Sequence, residues 1–304
     1  MVVAEPAGAR RIDYALASVP VFLGAVALYV ATLLPDVGIW DTAEFQALGP
    51  VLGTAHPTGY PTYTLLLWLA SVVLQPFGNE AYRADLLSAL LMAGAAALLA
   101  ARVVMATRRW PVGLVAGVVF ALTPVAWKWG LRADPHALHV FLAALLLVLL
   151  GSWQQREATA PGAGARWLLL AAGIYGLSLG NHALTLLLAP GIAAFVLLVA
   201  PRILWRQWRL VLACVGVIAL TATAVYLYLP LRSSMDPPLD YADPQTWDGF
   251  WYVVLGEQFR GSFGPLPALG GLLDDTWTEL VRDLGVLVIL AVAGMLLGLF
   301  RHPR

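Results

Sequence analysis

The segment Trp40-Asp41-Thr42-Ala43-Glu44-Phe45 places two carboxylates three positions apart, a spacing that brings both to one face of a helix. No basic residue follows until Arg83. An unpaired carboxylate pair can act as a general base or hold a divalent ion. The same spacing also fits a helix N-terminus, with Asp41 as cap and Glu44 at the third position of a capping box. The two readings are compatible, because a capping carboxylate can still turn one oxygen outward. Next comes His56-Pro57-Thr58-Gly59-Tyr60-Pro61, whose prolines and glycine fix the backbone while Tyr60 and Tyr63 suit a membrane interface. His56 has no second ligand at zinc-motif spacing, so no metal is required. Further along lie Arg83 and Asp85, then Lys128, Arg132, Asp134 and His136, then Asn181 and His182, then Arg232 at the end of Tyr228-Leu229-Pro230-Leu231-Arg232. Any one such group at a bilayer edge is most often a snorkelling anchor. As a set, four basic side chains and two histidines converging with the carboxylates suit a phosphate headgroup whose tails stay in lipid.

Composition says what must position these groups. Apolar residues make up 60% of the 304, charged residues 12%, and mean hydropathy is +0.78. A soluble chain carries roughly 25% charged residues. The chain therefore reads as a single all-α polytopic membrane domain over 1–304. Net charge is zero, which leaves no basic footprint for nucleic acid. The one cysteine, Cys214, allows no internal disulfide. No Walker loop, G-x-G-x-x-G or paired CxxC is present, so nucleotide and hydride cofactors have no visible site.

Apolar runs near 16–34, 84–106, 111–129, 135–151, 209–230 and 283–300 read as spans. The run 166–200 is too long for one span and breaks at Leu179-Gly180-Asn181-His182, which predicts two short spans with a tight hairpin. The run 61–75 is short and flanked by prolines, and predicts an interfacial helix. With eight spans and both termini cytoplasmic, 12 of 18 basic residues fall inside and 15 of 18 acidic residues fall outside. That leaves a first outer loop at 35–83 and a last outer loop at 231–282. In the latter, Trp247, Phe250, Trp251, Val254 and Leu255 follow helical spacing, as for a helix lying on the membrane surface. All the candidate residues above share the outer side. The inverted halves of a transporter are not visible.

In order along about 17–262, these elements resemble the GT-C-fold membrane glycosyltransferases, in particular the branch known as domain of unknown function 2723, related to the protein O-mannosyltransferases. The family's Asp-x-x-Glu is matched by Asp41 and Glu44, and its H-P-P-G-Y-P by His56 to Pro61 with Thr58 for the second proline. Its R-x-N-L-x-S-A appears as Arg83 to Ala89 with Asp85 for asparagine, its G-N-H as Gly180 to His182, and its Y-L-P-L-R as Tyr228 to Arg232. Gly256 to Arg260 is similar to a segment beyond that arginine. Where the family has A-E-x-Y, this chain has Ala133-Asp134-Pro135-His136, keeping a carboxylate and adding a proline.

The resemblance implies a GT-C-like bundle and sugar transfer from a polyprenyl-phosphate carrier to an acceptor protein or glycan, outside the cytoplasm and with inversion. It implies catalytic roles for Asp41 as base and Glu44 in orienting the acceptor. Substrate contacts are then expected from His56, Tyr60, Arg83, Lys128, Arg132, Asp134, Asn181, His182 and Arg232, with no cofactor required and a divalent metal admitted but not indicated. A rival reading is a non-catalytic carrier-lipid binder or transporter, or an accessory subunit of a transferase, which would need the basic groups but not Asp41.

Overall fold

The computed structural model describes residues 7–262, 269–285 and 287–301. Among these there is no strand, only an isolated parallel bridge between Thr54 and Asp240. In chain order the helices are α1 (Ala7–Ala31), α2 (Asp41–Val51), α3 (Pro61–Val73), α4 (Glu80–Thr107), α5 (Trp110–Ala121), α6 (Pro124–Gly130), α7 (Pro135–Glu157) and α8 (Ala165–Leu179). A 3-10 turn, Ala183–Leu187, leads into α9 (Leu188–Val199), α10 (Ile203–Arg206), α11 (Trp208–Tyr226), α12 (Tyr228–Ser233) and α13 (Trp247–Val254). A second 3-10 turn, Glu257–Ser262, precedes α14 (Leu269–Leu284) and α15 (Leu287–Arg301).

The long helix α4 is the hub, packed by α1, α5 and α7. Alpha-1 buries Ala17, Val21, Ala25 and Tyr29, every fourth residue and hence one face, and buried Leu33 lies just past its end. Alpha-4 meets its neighbours with fully buried alanines, among them Ala89, Ala93, Ala96 and Ala100. Small residues let backbones approach where lipid offers no hydrophobic drive for helices to associate. Gly113 and Gly117 of α5 complete that contact: an added Cβ would lie 2.6 Å from the Ala100 carbonyl oxygen at the first and 2.9 Å from the Ala100 Cβ at the second.

Four helices are long and apolar enough to cross a bilayer: Arg11–Ala31, Glu80–Thr107, Pro135–Glu157 and Trp208–Ser233. The run at 111–129 is not one straight span. It bends by 67° between α5 and α6, so it counts as a fifth span only as a bent pair. Thr123 caps α6 by accepting the Ala126 N–H, and Pro124 occupies its first turn. The expected count of eight is not confirmed. The 13 residues of α3 and 15 of α8 reach only about 20–23 Å, against about 30 Å of hydrocarbon.

The break predicted inside 166–200 is present. Alpha-8 stops at Leu179, and an added Cβ on Gly180 would lie 2.4 Å from Val225 and 2.7 Å from Thr62. Glycine there lets the hairpin tip press between α3 and α11. The Thr62 N–H donates to the Gly180 carbonyl at 3.0 Å and the Tyr226 hydroxyl to that of Leu179 at 3.0 Å. The predicted aromatic helix in the second loop is α13, with Trp247 75% exposed. Alpha-4 and α7 both begin beside the residues described next and run away from them towards Arg108 and Arg156.

Candidate active site

Alpha-2 begins without a capping box. Its cap residue is Trp40, at φ 57 and without a side-chain cap bond, and the N–H groups of Ala43 and Glu44 donate to the Trp40 carbonyl. Asp41 is the first helical residue, is exposed, and its carboxylate has no hydrogen-bond or ion-pair partner among the described residues. Glu44 faces His56 instead of the helix end. Its Oε1 accepts the His56 backbone N–H at 2.9 Å, and its Oε2 lies 2.7 Å from the His56 Nδ1. Burial alone would push the Glu44 carboxyl up, but these bonds and the imidazole charge outweigh it and hold the group below its ordinary value. Burial likewise pulls His56 down, and the bond and charge of Glu44, with Asp41 and Asp134 beyond, raise it above its ordinary value. Each favours the charged form of the other, with Asp41 alongside. Ligand atoms of Asp41, Glu44 and His56 lie within 4.8 Å of one another. Sequence spacing had offered His56 no such neighbours. The arrangement admits a cation, yet Glu44 and His56 already satisfy each other.

The backbone around this trio is strained. Trp40, Leu52 and Tyr60 have positive φ of 57, 49 and 45, none of them glycine. Such residues cost about 1–3 kcal/mol each and persist where the surroundings over-determine them. Leu52 ends α2 and Tyr60 starts α3, so the turn between them delivers His56 back over Glu44. Tyr60 is 8% exposed and sits edge-on to Phe45 and His56, with its ring 5.7 Å from that of His182. Burial, then the charges of Asp41, Asp134 and Glu44, raise its hydroxyl well above the usual phenol range, so it stays protonated.

Beyond Tyr60 the cluster continues through histidines. The His182 Nδ1 accepts the Leu184 N–H at 3.1 Å, which leaves the proton on Nε2. Burial, then the imidazoles of His136 and His139, lower His182 to about 4, so it is neutral near pH 7. Asp134 caps α7, its Oδ1 accepting the His136 backbone N–H at 2.9 Å and lying 2.6 Å from the His136 Nδ1. The His136 ring is 4.8 Å from that of His182 and stacks on Trp129 at 4.4 Å and 12°. Asn181 is fully buried and donates to the Pro135 carbonyl, tying the hairpin tip to the start of α7. Fully buried Asp85 sets the turn before α7: it accepts the Ala133 N–H at 2.6 Å and both carboxylate oxygens accept from Gln46 of α2.

Lys128 and Arg132 flank this cluster. Lys128 Nζ lies 4.5 Å and the Arg132 guanidinium 4.7 Å from the Trp129 ring centre. Both line a cleft of ≈ 500 Å³ shared with Thr42, Gly38 and Leu34. The other two basic candidates are engaged elsewhere. Arg83 donates to the carbonyls of Phe77, Gly78 and Ser71 and pairs with Glu80, closing the link between α3 and α4. Arg232 donates from Nε to the Leu52 carbonyl at 2.7 Å and from a terminal nitrogen to that of Val51 at 3.1 Å. It caps the C-terminus of α2. So Asp41, Glu44, His56, Tyr60, Asp134, Asn181 and His182 come together, Lys128 and Arg132 border them, and Arg83 and Arg232 act on backbone. Trp129, Gln46 and the full weight of His136 escaped the sequence reading. The signal for His136 was there, since Asp-Pro-His marks a helix cap whose aspartate can hold the histidine two residues on.

Fold and site together define a helical membrane protein with a carboxylate–histidine cluster gathered at one end of its bundle. Residues 41–204 match the model of the Protein O-mannosyl-transferase TMEM260 N-terminal domain, and the chain belongs to that family. It is 32% identical to mouse Protein O-mannosyl-transferase TMEM260 over 269 residues, covering 86% of this chain and 36% of the relative. It is 23% identical to Protein O-mannosyl-transferase tmem260 of Dictyostelium discoideum over 262 residues, 82% of this chain and 31% of the relative. The chain thus spans about a third of the length of these curated relatives. No solved structure matches it.

Proposed function

We propose that the chain is a membrane glycosyltransferase that moves a sugar, mannose by the names of its relatives, from a polyprenyl-phosphate carrier to a protein hydroxyl on the non-cytoplasmic side. The observation that carries this is the free carboxylate of Asp41 beside the self-satisfied Glu44–His56 pair. Asp41 accepts the proton of the acceptor hydroxyl as its oxygen attacks the anomeric carbon. The bond from that carbon to the phosphate oxygen breaks, its electron pair leaving with the lipid phosphate. Attack opposite the leaving group inverts the anomeric centre. Lys128 and Arg132 take the charge that develops, and Glu44, fixed by His56, orients the acceptor. An apolar groove of ≈ 430 Å³ between α7 and α9, from Leu187 near His182 down to Arg102, suits the isoprenoid tail. The proposed orientation puts the arginine-rich ends of α4 and α7 in the cytoplasm.

The test is sugar transfer by the purified protein from a polyprenyl-phosphate donor, with donor binding measured alongside. Asp41→Asn should lose on the order of 10²–10⁴ in rate while folding and binding are kept. Full transfer by Asp41→Asn would sink the mechanism. Binding without transfer by the wild type, across several donors, would favour a carrier-lipid binder.

A further inference from the structure

We propose that His136, held by Asp134, is a second catalytic residue: it protonates the departing phosphate from Nε2. The inference rests on the transferase reading above. Its basis is position. The Trp129 ring is shared by the stacked His136 and by Lys128 and Arg132, two cations without an ion-pair partner among the described residues. The Arg132 Nε is buried and has no acceptor among the described residues. An anion drawn to those cations meets the same indole that His136 stacks on. On its other side His136 meets His182, and through Tyr60 the rings reach His56, Glu44 and Asp41. The cluster therefore has a base end and a cationic end.

Three imidazoles lie at the cationic end, and only one is built to give up a proton. His182 is a neutral ring that donates a hydrogen bond but has no proton to lose near pH 7. Among the described residues His139 has a buried Nδ1 without a partner and no carboxylate bonded to it. His136 has an acceptor-only carboxylate on Nδ1, a third of its side chain exposed, and Nε2 left for substrate. That geometry fixes the tautomer and stabilises the imidazolium, as in the aspartate–histidine pairs of hydrolases. Around His136 stand Asp134 on Nδ1, His182 with its ring at 4.8 Å, His139, and Lys128 and Arg132 on the shared Trp129 ring.

The step balances. The acceptor proton goes to Asp41, and the acceptor oxygen bonds to the anomeric carbon. The carbon–oxygen bond to phosphate breaks, and the phosphate takes its electron pair and the Nε2 proton of His136. Solvent then returns one proton from Asp41 to His136, and the lipid phosphate leaves as a monoanion.

The experiment uses the full chain, a short-chain polyprenyl phosphomannose and an acceptor peptide, with thermal unfolding to verify folding. His136→Gln retains a donor N–H but does not titrate. It should lower kcat about 10²-fold with little change in donor KM. Asp134→Asn keeps the helix cap but not the charge. It should lower kcat less than His136→Gln does, again at little-changed donor KM. Wild-type kcat in His136→Gln would overturn the inference while leaving the transferase reading intact. So would a higher donor KM at unchanged kcat, which marks a residue that only binds. A wild type that binds donor and transfers nothing would overturn both.

Discussion

Arg232→Lys separates two jobs for one arginine. Were its guanidinium a phosphate ligand, lysine would keep the charge but lose the fork, and donor affinity would suffer. The structure spends the fork on protein: Nε on the Leu52 carbonyl at 2.7 Å and a terminal nitrogen on the Val51 carbonyl at 3.1 Å. These are carbonyls that the end of α2 leaves without helical partners. A lysine ammonium at the same place reaches one of them. The loss is one charge-assisted bond, worth about 1.5–3 kcal/mol when well shielded, and the half-buried setting puts the expectation at the low end. The assay is unfolding of the detergent-solubilised protein, paired with a donor titration. Arg232→Lys should lower stability by about 1–2 kcal/mol and leave the donor Kd within about threefold. Arg232→Ala should cost more, because both carbonyls lose their donor. A donor Kd raised tenfold or more at unchanged stability would refute the capping assignment and return Arg232 to the phosphate.

Three further outcomes follow from the same contacts. Glu44→Gln keeps the acceptor for the His56 N–H but removes the charge opposite its ring, so transfer should fall less than in Asp41→Asn; the reverse order would move the base to Glu44. His182 titrates near 6.5 when unfolded but only near 4 when folded. The unfolded chain therefore takes up the proton first, and stability present above about pH 6.5 should drain away as pH falls towards 4. Thermal unfolding against pH should show His182→Asn with a smaller loss over that window, and an unchanged slope would remove His182 as its source. In a Cys214→Ser background, Arg109→Cys and Ala160→Cys should resist an impermeant thiol reagent in intact cells, and labelling of both would invert the proposed orientation.

Local features were legible in the sequence and distant pairings were not. Asp41 and Glu44 could be placed on one helix by spacing, and Leu179-Gly180-Asn181-His182 announced a break that falls at those residues. Spacing could not show that Glu44 turns from the helix end to His56, because Leu52 and Tyr60, in left-handed conformations, carry out the reversal and neither residue type signals it. The capping box failed for the same reason: Trp40 takes the cap position with a positive φ, a role its side chain gives no hint of. The apolar run 111–129 read as one span because hydropathy averages over Thr123-Pro124, whose capping chemistry is what breaks it. Arg232 looked like a ligand because its partners are carbonyls 180 residues away, and a backbone acceptor leaves no mark on composition.

The two long connections contribute unlike things to the site. The first supplies the titratable side chains of the cluster's acidic end: Asp41, Glu44, His56 and Tyr60 all lie between α1 and α3. The second supplies geometry. Between Tyr228 and Asp243 no side chain joins the carboxylate–histidine cluster, yet this stretch holds the turn after α2 at four successive residues. Arg232 takes the carbonyls of Val51 and Leu52, and the Tyr228 hydroxyl takes that of Gly53 at 2.8 Å. Thr54 bonds Asp240 at 2.7 Å through its hydroxyl, and its N–H donates to the Leu239 carbonyl at 2.9 Å. Asp240 is itself held by Ser233. His56 follows two residues later, so its position over Glu44 is set from the far end of the chain. The strain of Leu52 and Tyr60 persists because both ends of the turn are clamped, one by α12 and its loop and the other by the hairpin tip on Thr62. Substitutions in the second connection should therefore change turnover through the placement of His56, without touching donor or acceptor.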